Sequence, residues 1–506
     1  MLARTLMVQG TASSVGKSLL VTALCRILRR QGIDVAPFKS QNMALNSFVT
    51  PDGREIGRAQ AVQAEAAGIE PEVDFNPILL KPEPGGRSQV VVLGLAIGTM
   101  SFSEYHERKP ELCRIIADCL RRLREHHDVV VIEGAGSPAE INLRSYDIVN
   151  MYVAEIAGAP VLLAGDIDRG GVFAQFAGTM ELLRPLERSY VRAFVINKFR
   201  GDRALLQPGL DFLRDRFAIP TLGVIPYIDR LRIADEDSAA LDDRRVHPRS
   251  DGGGIEIAVI RVPAISNYDD FLPLEHDPSV RLHFAEYPDE IASAALVIIP
   301  GSKSTAHDLQ WLRESGFADC IAARAARGEP LLGICGGFQM MGESIADPYS
   351  VESAARIVQG LALLPVTTRF ERTKIVARTE AIPATPSFLA GANGIAISAY
   401  EIHMGRILRT DKTTAIFKII RRNGREESDQ DGALSANGMI AGTMLHGIFE
   451  NDSIRAALIR SLSRRTGLPI MPGNGRIASR EEEYDRLARA VSENIDYDML
   501  RRIADL

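Results

Sequence analysis

The sequence predicts an α/β protein built from two domains, and three observations carry that prediction. Short apolar runs alternate with amphipathic helical stretches along most of the chain, as in a mostly parallel sheet covered on both faces. At the N-terminus a strand, a glycine-rich loop ending Gly16-Lys17-Ser18 and a helix follow one another. In the second half an apolar run turns sharply into a helix at Cys335, between Gly333 and Gly336. The charged, glycine-rich stretch from Asp235 to Gly254 lacks periodic apolar residues, so the boundary falls there. This gives an N-terminal phosphate-loop domain at 1–235, a linker at 236–254, a second α/β domain at 255–450 and a helical extension at 451–506.

Composition narrows the functional classes. The 506 residues are 46% hydrophobic and 25% charged, enough for about three domain-sized units. A net charge of -6 offers no basic field to nucleic acid and no cationic face to a membrane. The longest apolar stretch, Val90 to Ile97, is interrupted by Gly94 and is too short to span a bilayer. A functional-looking glycine already at Gly10 leaves no room for a signal peptide, so a cytoplasmic location is expected. Cys25, Cys113, Cys119 and Cys320 lie in helical apolar patterns without Cys-x-x-Cys spacing and read as core thiols. The oligomeric state is not legible.

Taken in order, Thr5 to Gln9 is the first strand, Gly10-Thr11 opens the loop, and Leu19 to Arg30 is the helix behind it. Loop amides and the helix N-terminus point at phosphates, Lys17 neutralises the terminal ones, and the Ser18 hydroxyl is placed to hold magnesium. The spacing carries one residue more than the usual Gly-x4-Gly-Lys-Ser/Thr. Asp34 to Phe38 is a second strand, running into the polar loop Lys39 to Ser47, where ligand contact and a solvated turn are evenly matched on chemistry alone. Asp128 to Ile132 ends in Glu133-Gly134-Ala135-Gly136, a carboxylate placed for a metal or for a helix cap. Pro160 to Ala164 ends in Asp166, Asp168 and Arg169, with Asp166 a further magnesium candidate and the other two candidates for meeting substrate. Tyr190 to Ile196 ends in Asn197, and Ile219 to Ile225 closes the series.

In the second domain, Ile255 to Val262 restarts the strands, followed by Ile265 to Phe271 and by Leu296 to Ile299, which leads into Pro300-Gly301-Ser302-Lys303. Leu331 to Ile334 then lifts Cys335 onto a tight turn, and Met439 to Leu445 delivers His446. A buried Cys in an ordinary strand is the bland alternative, outweighed by that second strand ending in His. The Gly336 amide and one from the Gly301–Lys303 loop are candidate oxyanion donors. His403 reads as a structural histidine, and Glu481-Glu482-Glu483 as a solvated first helical turn.

Gly-x-Cys-Gly-Gly-x-Gln with a later His at a strand end resembles class I glutamine amidotransferases. The resemblance implies Cys335 as nucleophile, His446 as its base and Gln339 beside the bound glutamine. Many members carry His-x-Glu or His-x-Asp. Here Gly447, Ile448 and Phe449 intervene before Glu450, as in the branch that makes cobyric acid and cobyrinic acid diamide, and what orients the imidazole stays open. The longer phosphate loop and Glu-Gly-Ala-Gly are similar to dethiobiotin synthetase, which implies ATP, magnesium at Glu133 and adenine contact by Asn197, with a turn Asn as its rival. Lys-Ser-Gln-Asn-Met-x-Leu-Asn-Ser and Tyr400 to Arg406 resemble the cobyric acid synthase family over nearly the whole chain. The first stretch makes Gln41, Asn42 and Asn46 candidates for acceptor or phosphate contact, and the second a candidate lining for the passage between domains. The family implies ATP- and glutamine-dependent amidation of the b, d, e and g carboxylates of adenosylcobyrinic acid a,c-diamide. The rivals are the a,c-diamide synthase, and a partitioning-type ATPase switch with an inactive amidotransferase domain.

Overall fold

The computed structural model describes residues 2–229, 231–234, 254–353, 355–389, 394–471 and 479–506, so the expected linker lies almost wholly outside the described residues. Two parallel sheets organise it. In the first the order is Thr221–Pro226, Val191–Phe199, Val161–Asp166, Arg4–Gly10, Val129–Glu133 and Val35–Phe38, all parallel. Val8 lies level with Glu133 and Gly10 with Ala164, so the glycine loop, Glu133 and Asp166 gather at one edge. Such an edge, at the carboxyl ends of parallel strands, is where α/β proteins bind ligands.

The second sheet runs Val280–Ala285, Ile255–Ile260, Leu296–Ile299, Leu331–Ile334, Ile440–Thr443 and Ala433–Leu434, parallel except for the last pair. Leu296–Ile299, Leu331–Ile334 and Ile440–Thr443 are buried along their whole length, which explains their continuous apolar runs, whereas the edge strand Val280–Ala285 is partly open and carries Arg281 and His283. Leu331 pairs with Ile440 and Ile334 with Thr443, and this register brings Cys335 and His446 out at the same edge.

Two larger, mostly antiparallel units supplement these sheets, with the short antiparallel pair Ser47–Val49 and Glu55–Gly57 beside them. Ile78–Glu83, Arg87–Val92 and Leu95–Ser101 form a meander beside Gln41–Met43, turning at Leu93-Gly94 with both residues at positive φ. The Val90 to Ile97 run is therefore a hairpin, and part of the expected polar loop after Lys39 is strand. The other unit pairs the long strands Val366–Pro383 and Ile397–Arg409 and carries Tyr400 and His403 to the second site.

The helical tail divides between the domains. Helix Asp452–Thr466 buries Ile454, Leu458 and Leu462 in the core of the second domain. Helices Arg480–Ser492 and Tyr497–Ala504 bury Tyr484, Leu487, Val491 and Leu500 in the core of the first. Ser479 and Glu482 form a capping box, but Glu483 departs from the solvated reading: it is buried and accepts from the Arg232 amide at 3.1 Å. All five cysteines are free, with Cys25 and Cys119 buried and Cys113 and Cys320 half-buried.

Candidate active site

Cys335 stands at φ 49°, ψ −106°, a left-handed conformation that costs energy for a residue with a side chain and marks a nucleophile elbow. Its neighbours must be small. A Cβ on Gly337 would lie 2.0 Å from the Ile299 carbonyl oxygen, one on Gly336 2.7 Å from the Ser302 amide nitrogen, and one on Gly442 2.0 Å from the Phe338 ring. Cys335 is 6% exposed, its thiol donates to the Ile402 carbonyl at 3.8 Å, and its sulfur acts on the His446 imidazole.

The group that orients the imidazole is Asp270. Its Oδ2 meets His446 Nδ1 at 2.6 Å, and its Oδ1 accepts the Gly447 amide at 2.8 Å and the Tyr400 hydroxyl at 3.3 Å. The Tyr400 ring stacks on His446 with centroids 5.2 Å apart. Glu450, the nearest acid downstream in sequence, pairs instead with Arg480. Burial alone would depress the imidazole, but the Asp270 carboxylate and the Cys335 sulfur outweigh it and hold His446 up at about 10. The arrangement is a thiol, a base and a buried acid in sequence, the requirement for activating a sulfur nucleophile.

The candidate oxyanion loop is partly committed. The Gly301 carbonyl accepts from Ser266 N at 2.9 Å and Lys303 N donates to Ala264 O at 2.9 Å, so the Lys303 amide is committed, while the Ser302 nitrogen lies 2.7 Å from where a Cβ on Gly336 would stand. A Cβ on Gly301 would come within 2.9 Å of His446 Cε1, so this glycine lets the loop close on the histidine. Gln339 is buried between Thr305 Oγ1 at 3.3 Å and Gly405 O at 3.5 Å. His403 Nδ1 donates to Gly405 O at 2.8 Å, and its other ring nitrogen lies 3.5 Å from Glu401, in a buried polar group.

At the other sheet edge, Lys17 Nζ donates to Ala12 O at 3.1 Å in its own loop and to Gly136 O at 3.2 Å in the loop after strand Val129–Glu133. Gly16 takes φ 94°, and a Cβ there would strike the Asn197 amide at 2.3 Å. Asn197 Nδ2 donates to Val15 O at 2.8 Å, so its amide braces the loop. Thr11 Oγ1 donates to Gln175 at 2.9 Å. Ser18 Oγ reaches Glu133 Oε1 at 2.8 Å, where Lys39 Nζ also arrives at 2.9 Å, and Gln63 takes the other carboxylate oxygen. Asp166 is paired with Lys198 at 2.9 Å. Among the described residues no three His, Cys, Asp or Glu side chains cluster as a metal site. The Ser18 hydroxyl and the fully buried Glu133 carboxylate are oxygen donors of the kind a hard divalent cation takes, and each acid at this edge already has a lysine partner, Lys39 on Glu133 and Lys198 on Asp166.

A cavity of about 1080 Å³ opens over this edge, lined by Ser18, Lys39, Gln41 and Asn42 among others. Gln41 accepts the Tyr105 hydroxyl at 2.5 Å and Asn42 donates to Gln60 at 3.0 Å. Asn46 is not among its lining residues. It is buried, with its carbonyl accepting Arg58 N at 3.2 Å, at the seam where the domains meet. That seam is polar: Arg58 pairs with Asp269 at 2.9 Å, Ser47 N donates to Asn267 at 3.1 Å, and Lys374 bridges Glu55 and Gln89.

Residues 256–454 match the CobB/CobQ-like glutamine amidotransferase domain and residues 6–240 the CobQ/CobB/MinD/ParA nucleotide binding domain. A cobyric acid synthase of Sorangium cellulosum is 59% identical over 100% of this chain and 99% of that one. The chain belongs to the cobyric acid synthase family. A Dehalococcoides mccartyi cobyric acid synthase is 50% identical over 99% of this chain and 98% of that one, and one from Pelotomaculum thermopropionicum is 48% identical over 100% and 97%. Among solved structures, PurLQS from Thermotoga maritima covers 42% of this chain and 99% of its own, with 17% identity and a TM-score of 0.33. As a member of the cobyric acid synthase family the chain is a ligase that joins a nucleotide-binding domain to a glutamine amidotransferase. No described helix is long and apolar enough to cross a membrane.

Proposed function

We propose that this chain is an ATP- and glutamine-dependent cobyric acid synthase that amidates the b, d, e and g carboxylates of adenosylcobyrinic acid a,c-diamide. The observation that carries the reading is the Cys335–His446–Asp270 arrangement in one domain, joined by a buried polar seam to a phosphate loop in the other. The Cys335 thiol gives its proton to His446 and attacks the side-chain amide of glutamine. The oxyanion is met by the Gly336 amide and a loop amide at Gly301–Ser302, and His446 returns the proton as ammonia leaves. Water then splits the thioester to glutamate.

Lys17, the loop amides and the N-terminus of helix Lys17–Arg30 hold the triphosphate. The acceptor carboxylate takes the terminal phosphoryl group and ADP departs, and ammonia displaces phosphate from the acyl phosphate to leave the amide. Ser18 and Glu133 would hold magnesium, which neutralises the transferring phosphoryl group when bound. Gln41 and Asn42, lining the cavity, are the substrate contacts this reading favours. Asn197 contacts the nucleotide through the loop it braces, and adenine by its remaining amide oxygen. Ammonia is routed along the seam, where both side-chain polar atoms of Asn46, Gln60 Nε2 and Gln63 Oε1 are buried without protein partners, a setting for small polar molecules.

The test is incubation with ATP, magnesium, glutamine and the a,c-diamide, following successive acid-to-amide conversions by mass spectrometry. Cys335→Ala is expected to lose glutamine-dependent amidation and keep the ammonia-dependent reaction. A parent enzyme with no glutaminase activity points to the ATPase switch instead.

A further inference from the structure

The cavity over the phosphate loop has two unlike ends. At about 1080 Å³ it exceeds the roughly 300–1,000 Å³ typical of a pocket for one drug-sized ligand. One end is bounded by Asn197, Lys198, Arg200 and Tyr227 with the apolar Ile228, Leu231 and Leu487 behind them, beyond the phosphate loop on the side where strands Val191–Phe199 and Thr221–Pro226 end. The other is bounded by Met43, Met100, Phe102, His106, Leu143 and Tyr146, with the phosphate loop between the two.

This second end is apolar yet open. Phe102 and Met43 are each 54% exposed, Leu143 42% and Tyr146 40%. Three rings meet there from two walls. Phe102 and His106 lie 3.8 Å apart on the short helix after the meander, and His106 and Tyr146 lie 4.2 Å apart, Tyr146 coming from the segment beyond strand Val129–Glu133. His106 Nδ1 is held by the Phe102 carbonyl at 2.6 Å, which fixes its ring. Rings locked to one another but left in water form a preorganised apolar lip, the kind of exposed patch that marks a ligand surface.

We infer that this lip is the platform on which the flat ring of the acceptor lies, an inference that rests on the amidase reading above. The acceptor must bring a carboxylate to the terminal phosphate beside Lys17 while the nucleotide fills the Asn197 end. Its bulk then has only the Phe102 end to occupy. A macrocycle with apolar faces and polar edge groups needs an apolar surface for a face and polar groups around it, and Gln41, Asn42 and Ser88 stand at the same end. Because apolar contact is non-directional, such a platform permits the ring to be set down in several rotations. One phosphate site then serves several peripheral carboxylates.

The test is the double variant Phe102→Ala, Tyr146→Ala of the full chain, with Phe102→Trp, Tyr146→Phe as the conservative control. Both side chains are about half exposed, and thermal unfolding checks that the fold is kept. Corrinoid affinity is read by equilibrium dialysis using the visible absorption of the a,c-diamide, and KM is measured for corrinoid and for ATP. The expected result is a rise of about tenfold or more in the corrinoid Kd and KM with the ATP KM unmoved, and recovery in the conservative control. Unchanged corrinoid binding in a double variant whose parent still amidates corrinoid overturns the platform and leaves the amidase reading standing. An ATP KM that rises as far as the corrinoid KM also overturns it, since the rings then shape the nucleotide site. A parent that hydrolyses glutamine but neither binds nor amidates corrinoid overturns both.

Discussion

The His446 imidazole is held between the carboxylate of Asp270 and the Cys335 sulfur, so its charge answers to both. Its value is raised from 6.5 to about 10, and a raised base stabilises the fold fully below about pH 6.5 and loses that contribution as pH climbs through about 10. Asp270→Asn removes the charge that supports the imidazolium while keeping the shape. The alkaline limb of glutaminase activity is then expected to move to lower pH, and the rate to fall by about 100-fold or more, because the thiolate loses its counter-ion. A glutaminase pH profile of the variant checks this, and an unmoved alkaline limb would remove Asp270 from the role. Cys335 and His446 were legible because each is announced by its own strand and neighbouring glycines. Asp270 was not, since it reaches His446 across 176 positions and sits in a run, Asn267 to Phe271, with no motif of its own. Asn46 was singled out by the resemblance of its stretch, and folding buries it off the cavity, beside the domain seam.

At the scale of elements, helix Arg58–Ala67 touches both chemistries. Gln63 on it holds Glu133, the partner of Ser18, and Arg58 at its start holds Asp269, the neighbour of Asp270. Burial pushes Asp269 up to about 6, with Arg58 opposing that rise. Arg58→Met would leave a buried acid without its cation, which costs about 3–5 kcal/mol for a pair of this kind. The expected outcome is a lowered thermal midpoint, with part of the loss restored in Arg58→Lys, as calorimetry would record. Gly337→Ala is expected to damage the elbow itself, because its new methyl group meets a backbone carbonyl at 2.0 Å and overpacking of this sort costs about 1–3 kcal/mol or more. Thermal unfolding of that variant, beside labelling of the Cys335 thiol, separates lost fold from lost reactivity. The central parallel strands were readable as continuous apolar runs since both their faces are covered, and the edge strand Val280–Ala285, half open and interrupted by Arg281 and His283, was not. The three-residue strands Gln41–Met43 and Ser47–Val49 were not, being too short for any period to show and held by tertiary partners.

Across the whole molecule, the chain crosses from one domain to the other and then returns. After serving the second domain through helix Asp452–Thr466, it comes back to lay helix Arg480–Ser492 along the helix that follows the phosphate loop. The return is fastened at its end: Asn494 O accepts the Val224 amide at 3.2 Å, and Gly223 has no room for a side chain against it, at 2.3 Å. Tyr484, Leu487, Val491 and Leu500 are all 2% exposed or less. At about 1.5–3 kcal/mol for each large apolar side chain buried, these four supply a share comparable with the 5–15 kcal/mol that keeps a domain folded. A chain ended at Gly467 keeps the helix that the amidotransferase half needs and loses the two that the nucleotide half needs. Such a protein is expected to unfold in two steps, the nucleotide-binding half at markedly lower temperature, with ATP failing to raise that first midpoint and glutaminase surviving until the second. Calorimetry with and without ATP, read beside glutaminase activity at each temperature, decides it. A single transition shifted by ATP as in the full chain would mean that the nucleotide site stands without its returning helices.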